Sequence, residues 1–413
     1  MQYYRIARTD ARYEVVGAYP FSPEIIKKQS RFPYYKFTSR NGKLQQIECY
    51  KGQFLQIDDK YFETVQIRYQ RTPANPPLPA LEIHVFLDAN GDPMGKEDGV
   101  FAERLTLNNH GQCVRITNLD ADNQPMMDGM GIVHYVRTVD TEGRVVSTSF
   151  EDARHKRIFD NQGHYEIRSS YNKEGFRITK KNYGPDGSLL EDRSGIAITR
   201  WKHDDLGNVI QESYFDKDDK PTLRNGAGPH RVDYTYDDNG NIIKEEYFDS
   251  RKDIITDETH NVAEIMRKFD ANGNILEVAF ADTEGFLTRS SVTGYAAERF
   301  TYNERGDITQ RTTANERGRP IRDPAIGAAT ERILYYPDGR TQSRRFFDES
   351  DHLVELPLYN AAIILYEYLP NGSTRISFLD RNSIRCEHEL FGFSIMEQPG
   401  PYGGRLVFFD TQE

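Results

Sequence analysis

Apolar residues are scarce in this chain, and long hydrophobic runs are missing from it. Only 37% of its 413 residues are hydrophobic, whereas an average globular domain has roughly 45–50%. The sequence has no apolar stretch of about 18 residues, the length that spans a membrane as a helix. Its opening residues show no basic segment followed by an apolar one, so no Sec-type signal peptide is predicted. We expect a cytoplasmic protein, or one exported by a route that leaves no Sec-type signal.

Cysteine and histidine are sparse and lie in no metal-binding pattern. The three cysteines, Cys49, Cys113 and Cys386, fit neither a CxxC motif nor a disulfide framework. The ten histidines form no HxH, HxxxH or HExxH motif, so no metal site is predicted. The motifs GxSxG, GxxxxGKS/T and GxGxxG are absent as well. We therefore predict no cofactor, no catalytic residue and no enzymatic activity.

Basic residues are fewer than acidic residues in this chain. The chain has 53 basic and 64 acidic residues, which gives a net charge of −11. A protein with this balance is not attracted to phosphate backbones or to anionic lipid headgroups. Nucleic acid and membrane insertion are therefore not expected.

The sequence is rich in one feature, an internal repeat. YDDNGNIIKEEYFD at 236–249 and FDANGNILEVAFAD at 269–282 are nearly the same segment. Turn glycines of this type, which we call first-row glycines, recur every 32 residues and later every 33. They are Gly111, Gly143, Gly175 and Gly207, then Gly240, Gly273, Gly306, Gly339 and Gly372. Such a period is typical of repeat architectures.

Two further turns accompany each first-row glycine. The second turn lies twelve residues after the glycine, and the third turn lies twelve residues before it. Glycine or asparagine occupies the third turn, and these residues tolerate a positive φ. The third-turn positions are Gly99, Gly131, Gly163, Gly195, Gly228, Asn261, Gly294, Gly327 and Asn360. We expect left-handed backbone at these positions.

Between the turns, residues alternate as they do in β-strands. Aromatic residues share the position four residues before the first-row glycine and the position six before it, as at Tyr236 and Tyr234. β-branched residues such as Ile242 follow the turn. An alternating apolar row is typical of a strand with one buried face, and an Asp-rich turn that ends in glycine is typical of a short hairpin.

The repeat therefore predicts an all-β fold, an elongated repeat array of antiparallel β-hairpins with a period of 32–33 residues. A parallel β-solenoid is the alternative, and it is disfavoured because its coils need no two-strand reversal in each repeat. About eleven units are predicted over residues 36–384, with an N-terminal cap at 1–35 and a C-terminal cap at 385–413.

The unit RVDYTYDDNGNIIKEEYFDSRKD resembles the YD repeats of RHS-type bacterial proteins, and also the MORN-variant (YwqK-type) hairpin repeats of bacteria. In weaker form the resemblance extends over about four fifths of the chain. It implies a bacterial protein associated with toxins, antitoxins or secretion. The residues that carry the resemblance are Tyr236, Asp237, Gly240, Ile242, Phe248 and Asp249.

A row of arginines indicates a binding surface. These arginines stand seven residues before the first-row glycines, on the strand face predicted to lie opposite the aromatic row. Guanidinium groups near aromatic rings recognise acidic groups or sugars by bidentate bonds and stacking. The alternative is a solvated face that pairs with Glu212, Glu245 and Glu246 on neighbouring strands. The candidate partner-binding residues are Arg104, Arg168, Arg200, Trp201, Arg299 and Arg332.

We expect a non-enzymatic scaffold that binds another protein, because repeat arrays offer extended surfaces and few deep clefts. The first alternative is a carbohydrate-binding or cell-surface module that uses the aromatic rows, although these rows are typical of the core of a thin sheet. The second alternative is an enzyme whose site is confined to one of the two caps.

Overall fold

The computed structural model describes residues 2–9, 15–21, 33–51, 54–55, 66–75, 78–357, 359–370, 373–386, 394–398 and 405–409. Two compact units divide the chain. The first consists of Met1–Tyr234, Asp238–Gly240 and Phe248–Asp253, and the second of Thr235–Asp237, Asn241–Tyr247 and Ile254–Glu413. Much of the two predicted caps, at 1–35 and 385–413, lies outside the described residues.

The first unit consists of β-strands and one short 3-10 helix, Arg224–Gly226. Its strands are β1 (Gln2–Thr9), β2 (Val15–Phe21), β3 (Pro33–Arg40), β4 (Lys43–Lys51), β5 (Phe54–Leu55), β6 (Gln66–Thr72), β7 (Ala80–Leu87), β8 (Ala102–Leu107), β9 (Cys113–Leu119), β10 (His134–Val139), β11 (Val145–Glu151), β12 (Arg157–Ile158), β13 (Glu166–Tyr171), β14 (Arg177–Tyr183), β15 (Ile198–His203) and β16 (Val209–Phe215).

Two strands contribute residues to both units, β17 (Arg231–Tyr236) and β18 (Ile242–Phe248). The strands of the second unit are β19 (Glu264–Phe269), β20 (Ile275–Ala281), β21 (Ala297–Tyr302), β22 (Ile308–Ala314), β23 (Thr330–Tyr335), β24 (Thr341–Phe347), β25 (Ile363–Tyr368), β26 (Thr374–Leu379), β27 (Ser394–Gln398) and β28 (Arg405–Phe409). No helix in the described ranges is both long enough and apolar enough to cross a membrane.

Each repeat forms an antiparallel hairpin that pairs with the next hairpin of its unit. In the first unit, β13 pairs with β14, and β14 then pairs with β15. In the second unit, β21 pairs with β22, and β22 pairs with β23. All of these pairings are antiparallel, which confirms the hairpin array and excludes the parallel solenoid.

The turns adopt the left-handed backbone that their residues predict. At the described first-row glycines φ lies between 77° at Gly111 and 96° at Gly339, while Gly372 lies outside the described residues. Aspartate stabilises the turn as expected, since Asp140 Oδ1 accepts hydrogen bonds from the backbone N–H groups of Glu142 and Arg144, each at 2.9 Å. These bonds are Asx-turn chemistry and require no bound ion.

The change of period from 32 to 33 residues has a local cause in the third turn. In a shorter repeat this turn closes by a hydrogen bond from Gly163 N to Asp160 O, at 3.1 Å. In a longer repeat it closes from Gly327 N to Asp323 O, at 2.7 Å, one residue further along the chain. The extra residue is therefore absorbed in the turn, upstream of its glycine.

The prediction of left-handed backbone at the third turn is wrong at one position, Gly228. Gly228 lies in the connection that contains the 3-10 helix, and the residues with positive φ there are Asn225 and Gly226. The third turn of this repeat has therefore been remodelled, and the backbone reversal occurs two residues earlier.

Two rows of buried side chains recur along the core at the period of the repeat. One row stands on the second strand of each hairpin, seven residues after the first-row glycine, and consists of Phe150, Tyr214, Tyr247, Phe280 and Phe346. The other row consists of alanines two residues after the third turn, at Ala197, Ala263, Ala296, Ala329 and Ala362. By contrast, the aromatic residues before the first-row glycine are only half-buried.

Candidate functional site

The arginine row is held against aromatic rings. The guanidinium carbon of Arg168 lies 4.0 Å from the centroid of the Tyr183 ring. The corresponding distances are 4.1 Å from Arg200 to Phe215 and 4.2 Å from Arg332 to Phe347. Each ring stands on the second strand of the same hairpin as its arginine. Such contacts contribute about 0.5–1 kcal/mol at exposed sites, and they restrict the orientation of the guanidinium.

The same arginines pair with carboxylates of the chain. Arg200 Nη2 lies 2.6 Å from Asp219 Oδ1, and Arg332 Nη2 lies 2.6 Å from Asp351 Oδ1. Both aspartates occupy second turns. Their arginines remain 39% exposed, and exposed ion pairs of this kind are worth only about 0–1 kcal/mol. These ion pairs therefore hold the two guanidinium groups only weakly.

Arg168 and Arg299 also pair with carboxylates of the chain, and these carboxylates stand on strands. Arg168 Nε lies 2.7 Å from Glu166 Oε1, and Arg299 Nε lies 2.6 Å from Glu277 Oε2. Arg104 occupies the equivalent position in β8 and is partly exposed. Arg104, Arg168 and Arg200 belong to the first unit, and Arg299 and Arg332 belong to the second.

The acidic residues expected to pair with the row have other partners. Glu245 Oε1 lies 2.6 Å from Arg267 Nη1, and Glu246 Oε1 lies 2.8 Å from Lys244 Nζ. Glu212 stands directly across the hairpin from Trp201. The expectation that these three glutamates pair with the row is wrong, because the carboxylates nearest the row come from other strand positions and from the second turns.

Trp201 does not share a surface with the arginine beside it in sequence. Successive side chains of a strand point to opposite faces, so Arg200 and Trp201 lie on different faces of β15. The cation over the Trp201 ring is that of Arg177, at 4.5 Å. Glu212 accepts a hydrogen bond from Trp201, and burial raises the pKa of the Glu212 carboxyl. The six predicted residues therefore do not form one continuous surface.

His164 joins two successive third turns on the first unit. Its Nδ1 lies 2.8 Å from Asp160 Oδ2, and its Nε2 lies 3.2 Å from Asp192 Oδ2 in the next repeat. Lys180 Nζ lies 3.1 Å from the same Nε2. Burial opposes the imidazolium, but the two aspartates more than offset it, so the pKa of His164 is raised above 6.5.

This cluster links repeats, and it has no arrangement for metal binding. Within the described part of the chain, no three or more His, Cys, Asp or Glu side chains are grouped to hold a metal ion. The sequence pattern did not single out His164, although Asp160 and Asp192 are one repeat apart and both lead a third turn.

Tyrosine hydroxyls form a regular set of bonds between neighbouring hairpins, which we call the tyrosine ladder. In each case a tyrosine four residues before a first-row glycine donates to a carbonyl of the preceding repeat. The bonds are Tyr171 to Val145 O at 2.6 Å, Tyr302 to Ile275 O at 2.7 Å, and Tyr335 to Ile308 O at 2.8 Å. The acceptor is always the second residue after the preceding first-row glycine.

The ladder is interrupted in the first unit. Leu107 and Val139 stand where the ladder tyrosine would precede Gly111 and Gly143. The carbonyl of Leu44, two residues after a hairpin glycine, accepts its hydrogen bond from Arg71 Nη1 instead. An open groove of about 780 Å³ lies at this interruption.

The groove has aliphatic walls and a polar side. Leu44, Leu105 and Leu107 supply the aliphatic walls. On the polar side, Glu82 binds both Arg71 and the imidazole of His84, with 2.8 Å between Glu82 Oε1 and His84 Nε2. The neighbouring strand β9 and its turn add Gln112 and Cys113, and burial raises the pKa of the Cys113 thiol to about 11.

Tyr69 lines the groove. Neighbouring side chains cover its ring, and its hydroxyl lacks a hydrogen-bond partner among the described residues. The ring lies 4.5 Å from that of His84 and 5.5 Å from the Arg71 guanidinium carbon. Its buried hydroxyl has no hydrogen-bond partner among the described residues, and burial raises its pKa. A buried polar group left in this state costs about 1–3 kcal/mol. Sequence reasoning missed this groove, because its lining residues come from hairpins that lie far apart in the sequence.

Comparisons with known proteins show low-scoring similarities only. No family model matches the chain, and no curated protein matches it. A solved structure of the Photorhabdus luminescens Tc holotoxin pore covers 92% of the chain at 14% identity, with a TM-score of 0.29. The crystal structure of TcdB2-TccC3-TEV covers 92% at 13% identity, with a TM-score of 0.25. This chain spans 20% and 22%, respectively, of the length of those two chains.

Proposed function

We propose that this protein is a non-enzymatic β-repeat scaffold that binds another protein through its arginine row. The observation that supports this proposal is the stacking of Arg168, Arg200 and Arg332 on rings at 4.0–4.2 Å. A stacked guanidinium loses little conformational freedom when it forms a bidentate bond with a carboxylate. The partner is accordingly a protein with exposed acidic side chains.

The spacing of the row favours a protein over a small ligand. Arg168 and Arg200 stand on successive hairpins of the first unit, and Arg299 and Arg332 on successive hairpins of the second. Equivalent positions in adjacent repeats present equivalent groups, so a partner can make the same contact more than once. The resemblance to YD repeats supports a partner from a toxin, immunity or secretion setting in a bacterium.

The experiment is an affinity capture from the source organism with three full-length baits. These are the wild type, a row variant and a control variant with the same loss of positive charge. The row variant carries alanine at Arg104, Arg168, Arg200, Arg299 and Arg332. The control variant carries alanine at five exposed arginines outside the row, Arg154, Arg251, Arg317, Arg319 and Arg381.

We expect one stoichiometric partner with the wild type and the control, and loss of that partner with the row variant. Circular dichroism of the three baits establishes that all are folded. Capture of no partner by the wild type contradicts the proposal, as does equal capture by the row variant. Turnover of a substrate that one side-chain change abolishes contradicts the non-enzymatic assignment.

A further inference from the structure

Lys180, in the first unit, breaks the charge pattern of its repeat position. It stands five residues after its first-row glycine, where the second unit carries arginines that pair with a glutamate on the first strand of the same hairpin. In the hairpin of Lys180 the position of that glutamate is taken by Ile167. Within the described part of the chain, Lys180 contacts His164 Nε2 at 3.1 Å and forms no ion pair. The complete pairs of the second unit are Arg311 with Glu298 and Arg344 with Glu331.

Arg177 is a second exception, on the same strand. In the described ranges its guanidinium forms no hydrogen bond or ion pair, and it lies 4.5 Å from the Trp201 ring. Local exceptions in a regular array are expected at functional positions. Arg177 stands two residues after its first-row glycine, where the other repeats carry uncharged residues, namely Cys113, Val145, Val209, Ile242, Ile275, Ile308, Thr341 and Thr374.

Both cations lie on one face of the sheet. In the hairpin of β13 and β14, Tyr171 is paired with Arg177, and Ser169 is paired with Lys180. Tyr171 and Ser169 stand two residues apart on β13 and therefore share a face. Residues paired directly across two strands share a face as well. A bulge in β14 makes this possible, because Arg177 and Lys180 are three residues apart. The stacking with Arg177 places Trp201 on this face too.

The surroundings compensate the two positive charges poorly. Desolvation lowers the pKa of Arg177 and that of Lys180, and the charge of Asp192 opposes the shift of Lys180 without reversing it. Glu212 shares this face but accepts a hydrogen bond from Trp201, and burial raises the pKa of its carboxyl. Partly desolvated cations in proteins usually have an anionic partner. These two lack one in the described part of the chain.

The donor groups match an oxyanion. A guanidinium presents a planar fork of N–H groups to two oxygen atoms, and an ammonium adds a compact charge with three donors. Stacking on Trp201 covers a face of the Arg177 guanidinium and leaves the donors at its edge available, and Arg177 is exposed to solvent. The bond from Lys180 to His164 uses one of the three ammonium donors. The net charge of −11 opposes a polyanion, so a small ligand is favoured.

We infer that Arg177 and Lys180 form a binding site for a small oxyanion, a carboxylate or a phosphate group, beside Trp201. Arg177 binds two oxygen atoms of the anion, and Lys180 supplies the second positive charge. The site goes beyond the proposed function, because it uses none of the row arginines and lies on the opposite face of β15 from Arg200.

The experiment titrates the full-length protein with inorganic phosphate and, separately, with acetate, while chloride keeps the ionic strength constant. Trp201 is the single tryptophan of the chain, so its fluorescence reports an anion bound beside it. Arg177→Gln and Lys180→Gln each remove one positive charge from the site. Lys181→Gln is the matched control, because Lys181 is the next residue of β14 and its side chain points to the other face. Circular dichroism establishes that each variant is folded.

We expect a saturable change in Trp201 fluorescence with at least one of the two anions. The Kd should rise by about tenfold or more in Arg177→Gln and in Lys180→Gln and remain unchanged in Lys181→Gln. Saturation with acetate alone identifies the ligand group as a carboxylate, and saturation with phosphate alone identifies it as a phosphate. The absence of a saturable change with either anion would overturn the inference, and so would the same Kd in all variants.

Two further variants keep the test sharp. Glu212→Gln removes a negative charge from the same face, so the Kd of the anion should fall, and an unchanged Kd would contradict this placement of the site. Should Arg177→Gln fail to fold, Arg177→Lys serves instead, because it keeps the charge and removes the planar fork. Its Kd should still rise, and a wild-type Kd would overturn the role of Arg177.

The anion site and the scaffold function can fail separately. The row variant should bind the anion with the wild-type Kd, and a weaker response would assign the anion to the arginine row and overturn the inference. If no protein partner depends on the row but the anion response requires Arg177 and Lys180, the anion site stands and the proposed scaffold surface is wrong.

Discussion

The hydroxyl of Tyr335 donates a hydrogen bond to the carbonyl of Ile308, 27 residues earlier in the chain, at 2.8 Å. This bond connects two neighbouring hairpins through a side chain, in addition to the backbone bonds between β22 and β23. Its repetition at Tyr171 and Tyr302 makes the tyrosine ladder a structural element of the repeat. A tyrosine at the position four residues before the turn glycine thus contributes its hydroxyl as well as its ring.

Replacing Tyr335 with phenylalanine should lower the free energy of unfolding by about 0.5–1.5 kcal/mol, the usual net value of one hydrogen bond. The ring is retained, so packing is preserved. Tyr368 provides the control, because its hydroxyl makes no hydrogen bond within the described residues. Urea denaturation of Tyr335→Phe and Tyr368→Phe measures the difference in the free energy of unfolding. Equal losses of stability would show that the ladder bond makes no net contribution.

Substituting two first-row glycines distinguishes the cost of backbone strain from the cost of a steric clash. At Gly175, φ is 88° and no atom lies within 4 Å of the position that a Cβ would take, whereas at Gly207, φ is 84° and a Cβ would overlap the Phe176 ring. Gly175→Ala should cost about 1–2 kcal/mol from the left-handed conformation alone. Gly207→Ala should cost about 1–3 kcal/mol more, because the ring must move. Chemical denaturation tests this, and equal costs would mean that Phe176 yields freely.

The pKa values of two histidines of the first unit should be shifted in opposite directions from the ordinary value. The aspartates beside His164 raise its pKa above 6.5, whereas burial and then the Arg115 charge lower the pKa of His134 to about 4. NMR of the protein with labelled histidine should show one imidazole midpoint above 6.5 and another near 4. Asp192→Asn should lower the first midpoint and leave the second in place, and a shift of both would contradict the assignment.

These titrations also set the pH dependence of stability. His164 binds its proton more tightly in the folded state, so its contribution is fully present below pH 6.5 and is lost as the pH rises through its folded pKa. His134 binds its proton less tightly in the folded state, so its contribution is present above pH 6.5 and is lost as the pH falls toward 4. Denaturation curves of His164→Gln and His134→Gln across this range should differ in the sign of their pH slope relative to the wild type.

Trp201, the single tryptophan of the chain, should report the protonation state of the Glu212 carboxyl. Burial raises the pKa of this carboxyl above 4.5 despite the hydrogen bond from Trp201 and the nearby cations. Trp201 fluorescence should therefore change with pH, with a midpoint above 4.5, and Glu212→Gln should abolish the transition. Glu174→Gln is the control, since Glu174 is exposed and should leave the curve unaltered. A transition that persists in Glu212→Gln would assign it to another group.

The hairpin array was predictable because turn chemistry is local. An aspartate, an asparagine and a glycine fix the turn at Gly240 whatever their tertiary surroundings, and their recurrence gives the period directly. The place of the extra residue, between the second and third turns, follows from the spacing of the turns. How the backbone accommodates it does not, because only the structure shows that the turn closes three residues after Asp160 and four residues after Asp323.

The burial pattern was predicted less well than the strands. The aromatic row at Tyr236 is typical of a core, yet it is half-buried, and the buried ring of this hairpin is Tyr247 on the second strand. Alternation identifies a buried face but does not say how deep each position lies within it. The alanine row, with Ala296 and Ala329 one period apart, was also visible in the sequence, but small residues contribute little to a hydrophobic pattern.

The arginine row was located correctly on its strands, but its pairing was not. Sequence spacing places Arg200 on a face, whereas the choice of Asp219 over Glu212 depends on how the second turn lies over the strand. The groove was harder to predict, because its lining residues come from several hairpins that lie far apart in the sequence.

The two ways of closing the third turn have a consequence for how the chain can change in length. A repeat of 32 residues and one of 33 differ upstream of the third-turn glycine and nowhere in the hairpin that follows. Recombination between two repeats therefore joins equivalent positions and returns a chain with whole hairpins added or removed. The number of repeats is open to evolutionary drift in a way that the internal structure of each repeat is not.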